Sequence, residues 1–167
     1  MENEELILNH SSLLIFIFFF NSSFLILHFS FMSDTLRLRI VTPERQLLDE
    51  EVDEITAPGT VGEFGVLPNH VTFLSSLQPG RLLYKQRGQT QTLVVGGGFA
   101  EVSDNVITVL ADSAEFVHEI NVERARTALQ KAEEELKSLE TTDPAFVATN
   151  AARLRAQARL EVAGARH

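Results

Sequence analysis

The sequence of 167 residues contains no cysteine. It can therefore build no disulfide framework, no thiolate metal site and no Cys nucleophile, which suits a reducing compartment. Positive charge is also scarce: 14 Lys and Arg stand against 23 Asp and Glu, for a net charge of -9. A chain built to hold nucleic acid needs clustered Lys and Arg along the phosphates, so no nucleic-acid partner is expected. The deficit is uneven. Residues 32–120 carry six basic and thirteen acidic side chains, residues 121–144 four and six, and residues 145–167 four and one. A basic end thus follows an acidic body. Catalytic apparatus is missing as well. Of five histidines, His10 and His28 lie in an unusual N-terminal stretch and His167 ends the chain, while His70 and His118 sit in no nucleophile motif or metal-ligand spacing.

Residues 13–31 are almost entirely Leu, Ile and Phe and hold seven of the twelve phenylalanines. The length nearly reaches the roughly 20 residues a membrane span needs. The flanks disagree: Glu2, Glu4 and Glu5 precede the run, no Lys or Arg occurs before Arg37, and no small-residue cleavage site follows. Met32-Ser33-Asp34-Thr35 then reads as a natural start. We read residues 1–31 as upstream sequence translated from too early a start codon, the alternative being a membrane anchor.

Beyond this stretch, Leu36, Leu38 and Ile40 alternate with Arg37, Arg39 and Val41, the period of a half-buried strand. Further strands are expected at 46–56, 71–75, 81–86, 89–95, 99–103 and 106–110. Turns are expected at Pro58-Gly59, Pro79-Gly80, Arg87-Gly88 and Asp104-Asn105. Many short strands with regular turns predict an antiparallel β-sandwich or barrel over residues 32–120, with an open sheet as the alternative. After Asn121 the period becomes helical. Val122, Ala125, Leu129, Ala132, Leu136 and Leu139 form a narrow apolar seam, with Asn121 as N-cap. Asp143-Pro144 supplies a second cap followed by proline at the first helical position. The next helix is expected to carry Val147, Ala151, Leu154 and Ala158 on one face and to end near Gly164. The short connection predicts an antiparallel two-helix hairpin over residues 121–167, and the overall class is α+β. Its alanine-rich seam buries little area, so it should be weakly held.

Two conspicuous clusters have ordinary readings. Gly96-Gly97-Gly98 leads into a strand rather than a helix N-terminus and lacks a following Lys-Ser/Thr, so it reads as a bulge or tight corner and not a phosphate cradle. The carboxylates of Asp49-Glu50-Glu51-Val52-Asp53-Glu54 alternate across a strand with no loop glycine among them, and read as a charged sheet edge. Two features stay open on chemistry alone. His70, on a turn-rich loop, suits a structural or a partner-contact role. The arginines of the last helix, Arg153, Arg155, Arg159 and Arg166, either favour the helix C-terminus electrostatically or dock on an acidic surface.

The run Gly62-Glu63-Phe64-Gly65-Val66-Leu67-Pro68-Asn69-His70 resembles a segment of the epsilon subunits of bacterial F-type ATP synthases, where Gly-Glu-Leu-Gly-Ile-x-Pro-x-His is usual. The likeness continues in order through Leu77-Gln78-Pro79-Gly80, Val95-Gly96-Gly97-Gly98-Phe99-Ala100-Glu101-Val102 and Val106-Ile107-Thr108-Val109-Leu110-Ala111-Asp112. The resemblance implies a non-catalytic rotor-stalk subunit on the cytoplasmic face of the cell membrane, coupling proton flow to ATP synthesis. Its implied partners are the gamma subunit, the c-ring and the alpha and beta subunits, and its hairpin would restrain ATP hydrolysis when extended. By motif position, Glu63, Phe64 and His70 would contact the c-ring and gamma. Arg153, Arg155 and Arg159 would dock on the catalytic head. Ile120-Asn121-Val122-Glu123-Arg124-Ala125 resembles a nucleotide motif of some bacterial epsilon subunits, in which Asp occupies the second place. Ile120, Arg124 and Ala125 would then touch a regulatory ATP, but Asn121 removes a carboxylate acceptor, so no cofactor is assigned and helix capping accounts for the same residues. The rival reading is a β-sandwich adaptor module unconnected to any ATPase.

Overall fold

The computed structural model describes residues 35–164. The hydrophobic stretch read as a start-site artefact lies outside them, as do Arg166 and His167. Eight strands are followed by two helices: β1 Leu36–Val41, β2 Gln46–Val52, β3 Glu54–Gly59, β4 Gly62–Val66, β5 Phe73–Gln86, β6 Gln89–Ser103, β7 Val106–Ala111, β8 Ala114–Phe116, α1 Val122–Leu136 and α2 Pro144–Gly164. The strands form one hydrogen-bonded path, β2-β1-β7-β6-β5-β3-β4, with β8 on the N-terminal half of β6. All pairings are antiparallel except β1 with β7, which run parallel.

The path folds over on itself because β5 and β6 are long enough to belong to both layers. The two halves of β6 pair with different outer neighbours: it meets β8 through Leu93 to Val95 and β7 through Gly98 to Ser103. One continuous core joins the layers. Leu36, Leu38, Ile40, Ile107, Val109 and Val102 from one side pack with Ile55, Val66, Leu82, Leu93 and Val95 from the other, all essentially solvent-free. Gly97 and Gly98, with φ of +108° and +122°, turn β6 at the corner. A Cβ on Gly98 would collide with the Leu110 carbonyl oxygen, so only glycine fits there. The corner reading of this triplet is therefore correct.

Several boundaries differ from expectation. The stretch 46–56 is two strands, broken at Asp53. Strands expected at 71–75 and 81–86 are one continuous β5 that passes through Pro79-Gly80, and those at 89–95 and 99–103 are one β6. Pro58-Gly59 closes β3 instead of forming the turn, and Gly62–Val66, where no strand was expected, forms β4. Arg87-Gly88 and Asp104-Asn105 do form hairpin turns, with positive φ at all four residues. Of the carboxylate run, Asp49 to Glu51 lie on the edge strand β2, whereas Glu54 begins β3, which is interior to the sheet path; Asp49 accepts from Arg37 Nε at 2.6 Å, which holds its carboxyl below the ordinary range.

The helices form the expected hairpin. Asn121 Oδ1 accepts from the Arg124 backbone N–H at 2.9 Å, and Asp143 Oδ1 from that of Ala145 at 2.7 Å, so both caps are made. The seam of α1 is as read, with Ala125 and Ala132 buried. That of α2 holds in part: Ala158 is buried, with Ala156 and Val162 beside it, and Ala151 and Leu154 are half-buried, whereas Val147 is 71% exposed. The reason is that α2 serves two neighbours, α1 and the outer surface of β5 and β6. A helix read against one partner only shows one stripe. No helix among the described residues is long and apolar enough to cross a membrane.

Candidate functional site

Three surfaces gather the residues of interest. The first lies at β4 and the loop that follows it. His70 Nδ1 is 2.9 Å from the Val71 carbonyl oxygen, and its ring meets Phe73 edge-on at 6.0 Å; Phe73 in turn meets Phe64 edge-on at 5.1 Å. The loop is tied down by Asn105, whose side chain accepts from the Asn69 N–H at 2.8 Å and donates to the Thr35 carbonyl at 2.8 Å. His70 and Phe64 are thus joined through Phe73, a link that sequence spacing did not reveal. Phe64 is half-buried against the core, and alternation turns Glu63 to the other face of β4, where it lies 3.6 Å from Arg81. Val61, Leu67 and Val71 stand exposed nearby in sequence.

A second surface was not anticipated. Phe99 and Leu110 are cross-strand partners on β6 and β7, and both are more than half exposed, as is Leu74 on β5. Leu74 shares a face with Ser76, the partner of Phe99. Their outward apolar stripe was hidden in the sequence because Phe99 and Leu110 sit in strands that also carry core residues.

The third surface is where the hairpin meets the sandwich. A cavity of about 270 Å³ is lined by Glu115, Glu119, Asn121, Arg124, Ala125 and Arg159, among others. Arg124 and Ala125 therefore do share a cavity, whereas Ile120 packs instead with Val94, Val117, Ala158 and Val162 in a small apolar cluster under α2. Arg159 Nε donates to Glu115 Oε1 at 2.7 Å, with the pair's side chains 26% and 25% exposed. Arg45 Nη2 donates to Glu119 Oε1 at 2.8 Å, while Glu119 Oε2 accepts from the Phe116 N–H at 2.9 Å. These two contacts, Arg45 first, hold the Glu119 carboxyl below the ordinary range. Glu115, Glu119 and Arg45 were not singled out from sequence; only the fold brings the β1–β2 turn against the segment before α1.

The cavity lining does not suit a nucleotide polyphosphate as it stands. Its two guanidinium groups face two carboxylates, Arg159 is already neutralised by Glu115, and the Asn121 oxygen is engaged in capping. Of the other arginines assigned to α2, Arg153 bonds along its own helix to Asn150 and Gln157, and Arg155 lies against Gly96. None of the three is fully exposed. No group of three or more His, Asp or Glu side chains suited to a metal ion occurs among the described residues.

Together these features define a class: a β-sandwich carrying a docked helical hairpin, with its distinctive groups on surfaces and at the junction of its two parts. Comparison with known proteins identifies the family. Residues 35–117 match the model of the ATP synthase delta/epsilon chain beta-sandwich domain, and residues 118–164 that of the ATP synthase delta/epsilon chain long alpha-helix domain. The chain is 51% identical over 134 residues to an ATP synthase epsilon chain of Nitratidesulfovibrio vulgaris, covering 80% of this chain and 98% of that one. It is 48% identical over 133 residues to the epsilon chain of Geotalea daltonii, covering 80% and 96%. A chain in the Euglena gracilis mitochondrial ATP synthase OSCP/F1/c-ring structure superposes with a TM-score of 0.60 at 26% identity, over 89% of this chain and 87% of that one. A chain of the Tetrahymena thermophila ATP synthase central stalk/c-ring, at 14% identity and a TM-score of 0.52, shares the fold. The chain belongs to the ATP synthase delta/epsilon family, among its epsilon chains. The reading of an adaptor module unconnected to an ATPase is not favoured.

Proposed function

We propose that this chain is a non-catalytic rotor-stalk subunit of a proton-translocating ATP synthase, held peripherally on the cytoplasmic face of the membrane by its complex. The sandwich, residues 32–120, binds the gamma subunit and the c-ring, and the hairpin, residues 121–167, moves between the sandwich and the catalytic alpha and beta subunits. The observation that carries this reading is the two-part architecture itself: a continuous core in the sandwich, and a hairpin attached through a small apolar cluster and a few polar contacts. A tightly packed body suits anchoring, and a thinly attached element suits exchange of partners.

Glu63 and His70 are exposed and half-exposed at the ordered loop and offer a polar rim for the c-ring, with Phe64 supporting His70 through Phe73. The Phe99, Leu110 and Leu74 stripe is the kind of apolar surface a protein partner covers. Arg153, Arg155 and Arg159 are the cations available to an acidic surface once α2 leaves the sandwich. Ile120, Arg124 and Ala125 act in the hairpin's attachment and not as a resident nucleotide site. The test is reconstitution of the enzyme with variants. Glu63→Ala and His70→Ala should impair assembly or coupling while shifting the subunit's own stability by no more than about 0.5 kcal/mol. Ending the chain after Glu119 should raise ATP hydrolysis. Replacing Arg153, Arg155 and Arg159 together with Ala should do so at low salt and less at high salt. Normal coupling in the first pair and unchanged hydrolysis in the others, with assembly verified, would refute it.

A further inference from the structure

We infer that the hairpin is latched to the sandwich by the Arg159–Glu115 ion pair, which occupies the place a ligand would need and closes the hairpin without one. The inference rests on the reading above that α2 leaves the sandwich when it changes partner. Three independent features support it.

First, the pair has the geometry of a strong contact. At 2.7 Å, with about three quarters of each side chain shielded, it is a charge-assisted hydrogen bond of the kind that exceeds an exposed ion pair. The same guanidinium reaches Ser113 Oγ at 3.5 Å and, within its helix, the Arg155 carbonyl at 3.4 Å. Second, the backbone beneath is shaped to let α2 come close. The Gly96 N–H donates to the Ser113 carbonyl at 2.7 Å, and a Cβ on Gly96 would strike Ser113 Oγ and lie 3.1 Å from Arg155 Cδ. Third, the apolar cluster joining this end of the helix to the sandwich is small: Val94 with Ala158 and Val162, edged by Val117 and Ile120.

Every group facing Arg159 across the cavity is accounted for. Glu115 binds it, Glu119 is held by Arg45, Arg124 is the remaining cation, and Asn121 caps α1. Closing the hairpin thus neutralises Arg159 internally, and opening it releases the same cation for an outside acidic surface. One side chain cannot do both at once, so the docked and released states exclude each other.

Hydrogen exchange on the full chain, free of its complex, tests this with readings at residues 153–162. Glu115→Gln and Arg159→Gln should each speed exchange there about ten- to hundredfold, the range expected for losing one charge-assisted contact, with strand amides unaffected. The reversed pair, Glu115→Arg with Arg159→Glu, should return exchange toward wild type. Adding Mg-ATP to the wild type should leave it unchanged. Unaltered exchange in both single variants would overturn the latch, as would failure of the reversed pair to recover. Protection of α2 by Mg-ATP would show a ligand holding the hairpin and overturn it equally. Because this reading needs no ATP hydrolysis, it is separate from the inhibitory role: a latch without inhibition would refute only the earlier proposal, and inhibition without a latch only this one.

Discussion

Leu93 and Val94 are neighbours on β6 that point to opposite faces, and they separate the two parts of the molecule by one residue. Leu93 is completely buried within the sandwich core, whereas Val94, 3% exposed, is buried only because α2 covers it. Val94→Ala removes two methylene equivalents at about 0.8 kcal/mol each, with a small cavity term in addition, so the hairpin contact should lose about 1.5–2.5 kcal/mol. Each 1.4 kcal/mol is about tenfold in an equilibrium, so α2 should open at least tenfold more often. The sandwich should keep its urea midpoint, since its core is untouched. Leu93→Ala should instead cost about 2–5 kcal/mol of global stability. The assay pairs urea unfolding followed by a sandwich probe with hydrogen exchange along α2. Equal losses of midpoint in the two variants, with no selective exchange in α2 for Val94→Ala, would refute the division into a firm body and a thinly attached hairpin.

Two further perturbations probe the corner and the approach to the hairpin. Gly98→Ala meets a φ of +122° and the Leu110 carbonyl oxygen and should cost about 3 kcal/mol or more, while Gly88→Ala, at φ +77° with open space around it, should cost about 1–2 kcal/mol; similar urea midpoints for the two would remove the steric argument. Glu119 is held below its ordinary pKa by Arg45, so its contribution is present above that ordinary pKa and is lost as pH falls through the depressed value. Wild type should therefore exceed Glu119→Gln modestly in stability near neutral pH, and the gap should close as the pH falls through the depressed value; a gap that persists in strong acid would show that the ion pair is not its source.

The sequence made the turns and helix caps legible because their chemistry is local. Arg87-Gly88, Asp104-Asn105, Asn121 and Asp143-Pro144 act through their own backbone, and the structure uses each as read. Strand continuity was not legible, because Pro79-Gly80 and Gly96-Gly97-Gly98 look like breaks in one dimension but are bends within strands shared by two layers. The α2 seam was legible only in part for a related reason: a helix with two neighbours has a wider buried face than one stripe predicts, so Ala156 and Val162 are buried along with Ala158 while Val147 is exposed. Motif likeness placed the loop at Glu63 to His70. It did not show that Phe73 bridges His70 to Phe64, nor that Arg159 would find Glu115 across 44 residues.

That last pairing bears on how the chain's uneven charge works. An acidic body followed by a basic end reads, in one dimension, as a tail waiting for an external acidic partner. In three dimensions part of the body's acidity is already set against it: Glu115 takes Arg159 at the cavity. An external surface must therefore compete with an internal one for the same cation, and only the difference between them biases the hairpin. Internal and external pairs are both weakened by salt, but the shielded internal pair less so. Rising ionic strength should then favour the closed hairpin over the docked one, even though each contact considered alone is weakened.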